Sequence, residues 1–225
     1  ALDRKGGVGM TGLMMKDALV MRKTLRLYAL FLLFYSGLAV LGVFPMSMAL
    51  AMVEVIVMVL PISSFSYDEA AKWDRYAAVL PVGRTAVVKA RYLFLLLVLL
   101  AAAAIGLVGS ILASLLARED LGELLATLLV SMGLGLMIAD IMLPVVYQLG
   151  PERARPWMYV IIFAPIVVLL GGAKLGLFDG IDLSWLDQLP ELAVLGVFAL
   201  VPLVPLVGML LSCWISCRIY ARKEF

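Results

Sequence analysis

The sequence predicts an all-α integral membrane protein with six transmembrane helices and a short amphipathic helix ahead of them. Three observations predict it. The 225 residues are 64% hydrophobic and 15% charged, with a mean hydropathy of +1.10; soluble domains are roughly 45–50% apolar and 25% charged. The apolar residues form runs near the ~20 needed to cross a ~30 Å hydrocarbon core. All but two of the 18 Lys and Arg fall in alternate connections between those runs.

The elements follow in chain order. Residues 1–9 are polar and Gly-rich and read as an added tag ahead of Met10. Residues 10–24 suit an amphipathic helix on the membrane surface, with Met14, Ala18, Met21 and Leu25 opposing Lys16, Arg22 and Lys23; an extension of the first span is the other reading. Residues 25–225 hold the spans. The run from Leu27 to Ile62 is too long for one crossing, and Pro45 divides it, since proline disfavours helix before it and suits a helix start. The spans are expected at about Leu25–Phe44, Pro45–Ile62, Lys89–Ala117, Leu121–Gln148, Pro156–Ala173 and Leu189–Ile219. Arg118 and Lys174 are the cations of one side, which also carries Glu119, Asp120, Glu123 and Asp179. The positive-inside rule puts the other side in the cytoplasm, with both termini and the long loop 63–91. The predicted location is a cell membrane, crossed several times.

The loop after the second span is unlike the others. Ser66-Tyr67-Asp68-Glu69 fits a capping box, in which Ser66 and Glu69 satisfy each other's amides at a helix start. Pro81 would end that helix, giving a segment of about Tyr67–Val79 with Glu69, Trp73, Tyr76 and Leu80 on one stripe. Trp and Tyr at a membrane boundary commonly act as interface anchors. Asp68, Glu69 and Asp74 argue instead for a protein partner, because an anionic leaflet would repel them.

Within the spans, Glu54 and Asp140 are conspicuous, since a carboxylate at mid-membrane costs ~2.5–3.5 kcal/mol. They read either as a polar patch on a transport path or as structural groups bonded to a neighbouring span. Ala102, Gly106, Ser110 and Ser114 form a small-residue stripe suited to close helix packing. Pro202 and Pro205 should bend the last span and free carbonyls. Cys213 and Cys217 read as small apolar residues.

Several chemistries are excluded. There is no histidine, which removes His-based acid–base catalysis, and no metal site is expected. Lys5-Gly6-Gly7-Val8-Gly9-Met10-Thr11 approaches a P-loop, but Met10 stands where the phosphate-binding lysine belongs. No enzymatic activity, bound cofactor or nucleic-acid partner is expected of this chain.

The pattern Phe65-x-Tyr67-Asp68-Glu69-x-x-Lys72-Trp73-Asp74-x-Tyr76, with Leu80-Pro81-Val82-x-Arg84 and Arg91-Tyr92-Leu93, resembles the ABC-2 type membrane subunits of ABC transporters. It is most similar to the small six-span bacterial group that includes the phenol-soluble modulin exporter permease. Lys16-Asp17, the segment from Pro144 to Arg155, and the ending Tyr220 to Phe225 extend the resemblance. It implies an ATP-driven exporter of amphipathic or cytolytic peptides, working as a homodimer or with a close paralogue, alongside two copies of an ABC ATPase that binds the ATP and Mg. It also implies that the helix after the second span is a coupling helix. Tyr67, Asp68, Glu69, Lys72, Trp73, Arg75 and Tyr76 would then contact the ATPase, with Trp73 and Tyr76 as packing anchors and Lys72 and Arg75 as ion-pair partners. The alternative is a proton-coupled secondary transporter using Glu54 and Asp140.

Overall fold

The computed structural model describes residues 3–73, 76, 83–176 and 190–222. Among them are seven helices and no strand: α1 (Asp3–Val20), α2 (Arg22–Val40), α3 (Met46–Ala70), α4 (Arg84–Leu116), α5 (Leu121–Leu149), α6 (Pro151–Lys174) and α7 (Glu191–Arg222). Six of them, α2 to α7, are long and apolar enough to cross a membrane.

α5 is the hub of the bundle, packed against α7 on one side and α3 on the other. Two glycines two residues apart make this fit, because residues so spaced face nearly opposite sides of a helix. A Cβ on Gly133 would lie 2.8 Å from the Val201 carbonyl oxygen of α7, and one on Gly135 would lie 3.3 Å from the Glu54 Cα of α3. The predicted stripe on α4 packs as expected at its first three positions, where Ala102, Gly106 and Ser110 are buried. Gly106 meets Leu50 of α3 and Leu128 of α5. By contrast, α6 contacts α5 and the end of α3 but leaves Phe163, Val167 and Val168 exposed.

Pro144 inside α5 releases a carbonyl, and the neighbouring helix takes it up. Pro144 cannot donate to the carbonyl of Asp140 four residues earlier. Ser212 of α7 donates to that carbonyl instead, at 2.5 Å. Ser212 in turn bonds the Tyr92 hydroxyl at 2.7 Å, and Ser216 bonds it at 2.8 Å. Likewise Pro205 frees the carbonyl of Val201, the one that Gly133 approaches.

The helix limits correct three expectations. α3 begins at Met46 with Pro45 as its N-cap, as predicted, but it runs through Pro61 to Ala70 instead of stopping at Ile62. Ser66 is therefore interior to a helix and does not cap one; with the helix already formed below it, the capping box has no start to mark. The chain breaks at Lys72 instead, whose φ of 51° is left-handed, after Lys72 N donates to the Glu69 carbonyl at 3.0 Å. Similarly α6 starts at Pro151, not Pro156, because Gly150 adopts φ 80°, ψ 163°, a conformation open essentially to glycine alone. Finally, α1 already includes the Gly-rich residues 6–9.

At the opposite end, acidic residues cap helices. Both Glu119 carboxylate oxygens accept from the Met46 amide, each at 3.2 Å, at the positive end of α3. Asp120 caps α5 by accepting from Glu123 N at 3.0 Å.

Candidate functional site: the ion cluster at the α3–α4 connection

α3 has 25 residues, about 37 Å at 1.5 Å per residue, and so extends beyond a ~30 Å hydrocarbon core. Its last turns carry Asp68 and Glu69. Carboxylates there oppose the helix dipole, which favours cations at a C-terminus. Two cations answer Asp68. Arg91, in the second turn of α4, donates from Nη2 to Asp68. Lys16 of α1 donates from Nζ to the other Asp68 oxygen at 2.7 Å. Asp17 completes the set, 2.7 Å from Lys16 and 3.4 Å from Arg91. Two cations and two anions thus form a neutral group joining α1, α3 and α4.

Asp17 and Arg91 are buried, 5% and 4% exposed, and Lys16 and Asp68 are half-buried at the group's edge. Aromatic rings line it. Arg91 Cζ lies 4.5 Å from the Phe65 ring centre, and Lys16 Nζ lies 4.1 Å from that of Trp73. Both contacts are cation–π pairs, which gain strength when desolvated. Phe65 meets Tyr147 of α5 edge to face at 4.6 Å, and Tyr147 meets Tyr220 of α7 at 5.5 Å. Outside this core, the Thr24 hydroxyl of α2 bonds Tyr67 at 2.8 Å, and Arg84 donates to the Ala221 carbonyl of α7 at 3.0 Å. Helices α1 to α5 and α7 therefore converge on one junction. The α1 helix, the C-terminal end of α7 and the α3–α4 connection share this end of the bundle.

The structure divides the predicted ATPase contacts into two sets. Asp68 and Trp73 turn inward and belong to the cluster. Tyr67, Glu69, Lys72 and Tyr76 are exposed, Tyr76 at 62%. Arg75, Pro81 and, Tyr76 excepted, the far half of the predicted Tyr67–Val79 helix lie outside the described residues. The α1 expectation is corrected as well. Lys16 was placed on a water-facing side, yet it points into the junction, because the carboxylates of buried Asp17 and half-buried Asp68 both pair with it. Apolar residues of α1, among them Met15, Leu19 and Val20, are exposed instead.

Glu54 and Asp140 are not brought together by any hydrogen bond in the described residues. Glu54 sits where α3 meets Gly135 of α5. Asp140 Oδ2 is buried without a hydrogen-bond partner, against Gly208 of α7. Sequence reasoning missed Asp17, Arg91 and Tyr147 as one site. The signal was present in ionic residues of both signs, Lys16-Asp17, Asp68 and Arg91, flanking three apolar runs at one end.

Comparison with known proteins agrees with this architecture. No curated protein and no solved structure matches the chain. A family model described as ABC-2 family transporter protein matches residues 12–221, which include all four members of the ion cluster. The match covers nearly the whole chain, and the chain belongs to the ABC-2 family of transporter membrane proteins.

Proposed function

We propose that this chain is the permease subunit of an ATP-driven exporter and that its α3–α4 connection receives the ATPase. Two permease copies, or one copy and a close paralogue, form the pathway. Two copies of a separate ABC ATPase bind at the basic end, which the positive-inside rule makes cytoplasmic. ATP and Mg bind to that ATPase; the permease binds no cofactor, catalyses no reaction and has no nucleic-acid partner. Resemblance to the phenol-soluble modulin exporter group supports amphipathic or cytolytic peptides as cargo and a bacterial cell membrane as the location.

The observation that carries this reading is the ion cluster. Asp68 ties the end of α3 to α1 and α4 through Lys16 and Arg91. A push on the exposed Tyr67, Glu69, Lys72 and Tyr76 reaches three helices through charged contacts that are costly to break. The docking surface is then the outer side of this junction, with Tyr76 as its aromatic anchor, while Asp68 and Trp73 transmit. Family membership favours this reading over a proton-driven carrier using Glu54 and Asp140.

Co-expression with an ABC ATPase tests it. Glu69→Ala with Tyr76→Ala should lower substrate-stimulated ATP hydrolysis at least tenfold, with the permease still inserted in the membrane. Unchanged coupling would remove the docking assignment.

A further inference from the structure

A cavity of about 520 Å³ opens between α1, α2, α3 and α4. Thr11, Met14 and Ala18 of α1 line one wall, and α2 contributes Leu25 through Leu32. The α4 wall runs from Phe94 to Ile105, about 16 Å at 1.5 Å per residue. Half of a ~30 Å hydrocarbon core is ~15 Å, so the cavity is one leaflet deep. Its walls are almost wholly apolar, and its volume lies within the roughly 300–1,000 Å³ of ligand pockets.

Charge collects at one end only. Arg22 lies on the same α2 stripe as Leu25, Ala29 and Leu32, one turn before the cavity begins. Lys23 and Arg26 lie in the same first turns of α2, and all three are exposed. None of them has an acidic partner among the described residues. An apolar slot one leaflet deep, with three cations beyond one end of it in the first turns of α2, matches an amphiphile with one long chain in the slot and an anionic head outside it.

We propose that this cavity holds an acyl chain of an anionic phospholipid, with the headgroup phosphate at Arg22, Lys23 and Arg26. α1 closes over the chain through Met14 and Ala18, and the adjacent Lys16 and Asp17 connect α1 to the ion cluster. The lipid therefore acts as a strut for the helix that carries half of that cluster. A second copy of the chain fits less well. Seated on this face about a two-fold axis, it would bring its own Arg22, Lys23 and Arg26 against the same three cations.

Lipid binding at this cavity needs no ATPase partner and is measured without one. The full chain, purified and delipidated in detergent, is titrated with dioleoyl phosphatidylglycerol or dioleoyl phosphatidylcholine, and bound lipid is counted by native mass spectrometry. Each Lys or Arg near an anionic surface contributes about a fivefold factor, so one phosphatidylglycerol per chain should bind at least tenfold more tightly than phosphatidylcholine. Arg22→Gln with Arg26→Gln should remove most of that preference while leaving phosphatidylcholine binding unchanged. Ala101→Trp, at an exposed wall position, should weaken both lipids. Equal affinity of the wild-type chain for the two lipids overturns the proposal, and needs no variant to fold. Retained preference in the Arg22/Arg26 variant also overturns it, as does disulfide pairing between Ala101→Cys copies in liposomes, which would put a second copy in the groove.

Discussion

Arg91 donates a hydrogen bond to Asp68, joining the second turn of α4 to the last turn of α3 beneath a connection that the sequence alone assigns to a partner protein. The pairing changes what that motif means. Part of it faces outward, and part holds the molecule together.

Removing one member of the cluster should be costly. Arg91→Met leaves buried Asp17 and half-buried Asp68 with Lys16 alone, and breaking a buried pair costs ~3–5 kcal/mol. Removing both charges with Arg91→Met and Asp68→Leu should cost less than the sum of the two single changes. Denaturant unfolding in mixed micelles measures the cycle, and additive losses would show that the two residues do not interact.

The carbonyl released by Pro144 gives a second cycle. Ser212→Ala leaves the Asp140 carbonyl without its donor, at a cost of ~1–3 kcal/mol. In a Pro144→Ala background the new amide can reach that carbonyl, so Ser212→Ala should then cost well under half as much. The same unfolding measurement checks it; an equal loss in both backgrounds would mean that the serine serves only Tyr92.

Glycine substitutions should separate by position. Gly133→Ala drives a methyl against the Val201 backbone, and overpacking of this kind costs ~1–3 kcal/mol. Gly171→Ala meets nothing within 4 Å and should be neutral or stabilising by up to ~1 kcal/mol. Thermal inactivation of the two variants in the same detergent ranks them.

Much of the fold was legible in the sequence. Apolar run length gave all six spans, and Pro45 gave the start of α3, because burial in hydrocarbon forces helix and proline marks its ends. The site was legible only in part. Ser66-x-x-Glu69 satisfies a local capping rule, but a helix already running from Met46 overrides a start signal inside it. Asp68 and Trp73 looked like surface contacts because their partners, Arg91 and Lys16, lie 23 and 52 positions from Asp68 in the chain. No local pattern shows such pairs, although unpaired charges bordering apolar runs demand partners from somewhere. Gly150 and Gly133 were similarly opaque, since their necessity lies in a backbone angle and in a neighbouring helix.

The intramembrane carboxylates separate the ATP-driven reading from the proton-driven one. Asp140→Asn and Glu54→Gln should each leave transport driven by ATP within about threefold of wild type, since neither side chain belongs to the ion cluster. Transport into inverted vesicles with a dissipated proton gradient checks this. Abolished transport in both variants, with ATP present, would restore the proton-coupled reading.

Docking of an ATPase at the α3–α4 connection is tested most directly by cross-linking. With Cys213 and Cys217 replaced by Ala, Tyr76→Cys places a single thiol at the exposed position and Leu121→Cys places one at the opposite end. Each variant, co-expressed and purified with an ABC ATPase, is treated with a short thiol–amine cross-linker. Position 76 should give a permease–ATPase adduct whose yield changes with ATP, and position 121 should give none. An adduct from position 121 but not from 76, or a permease that transports with no ATPase present, would contradict this docking.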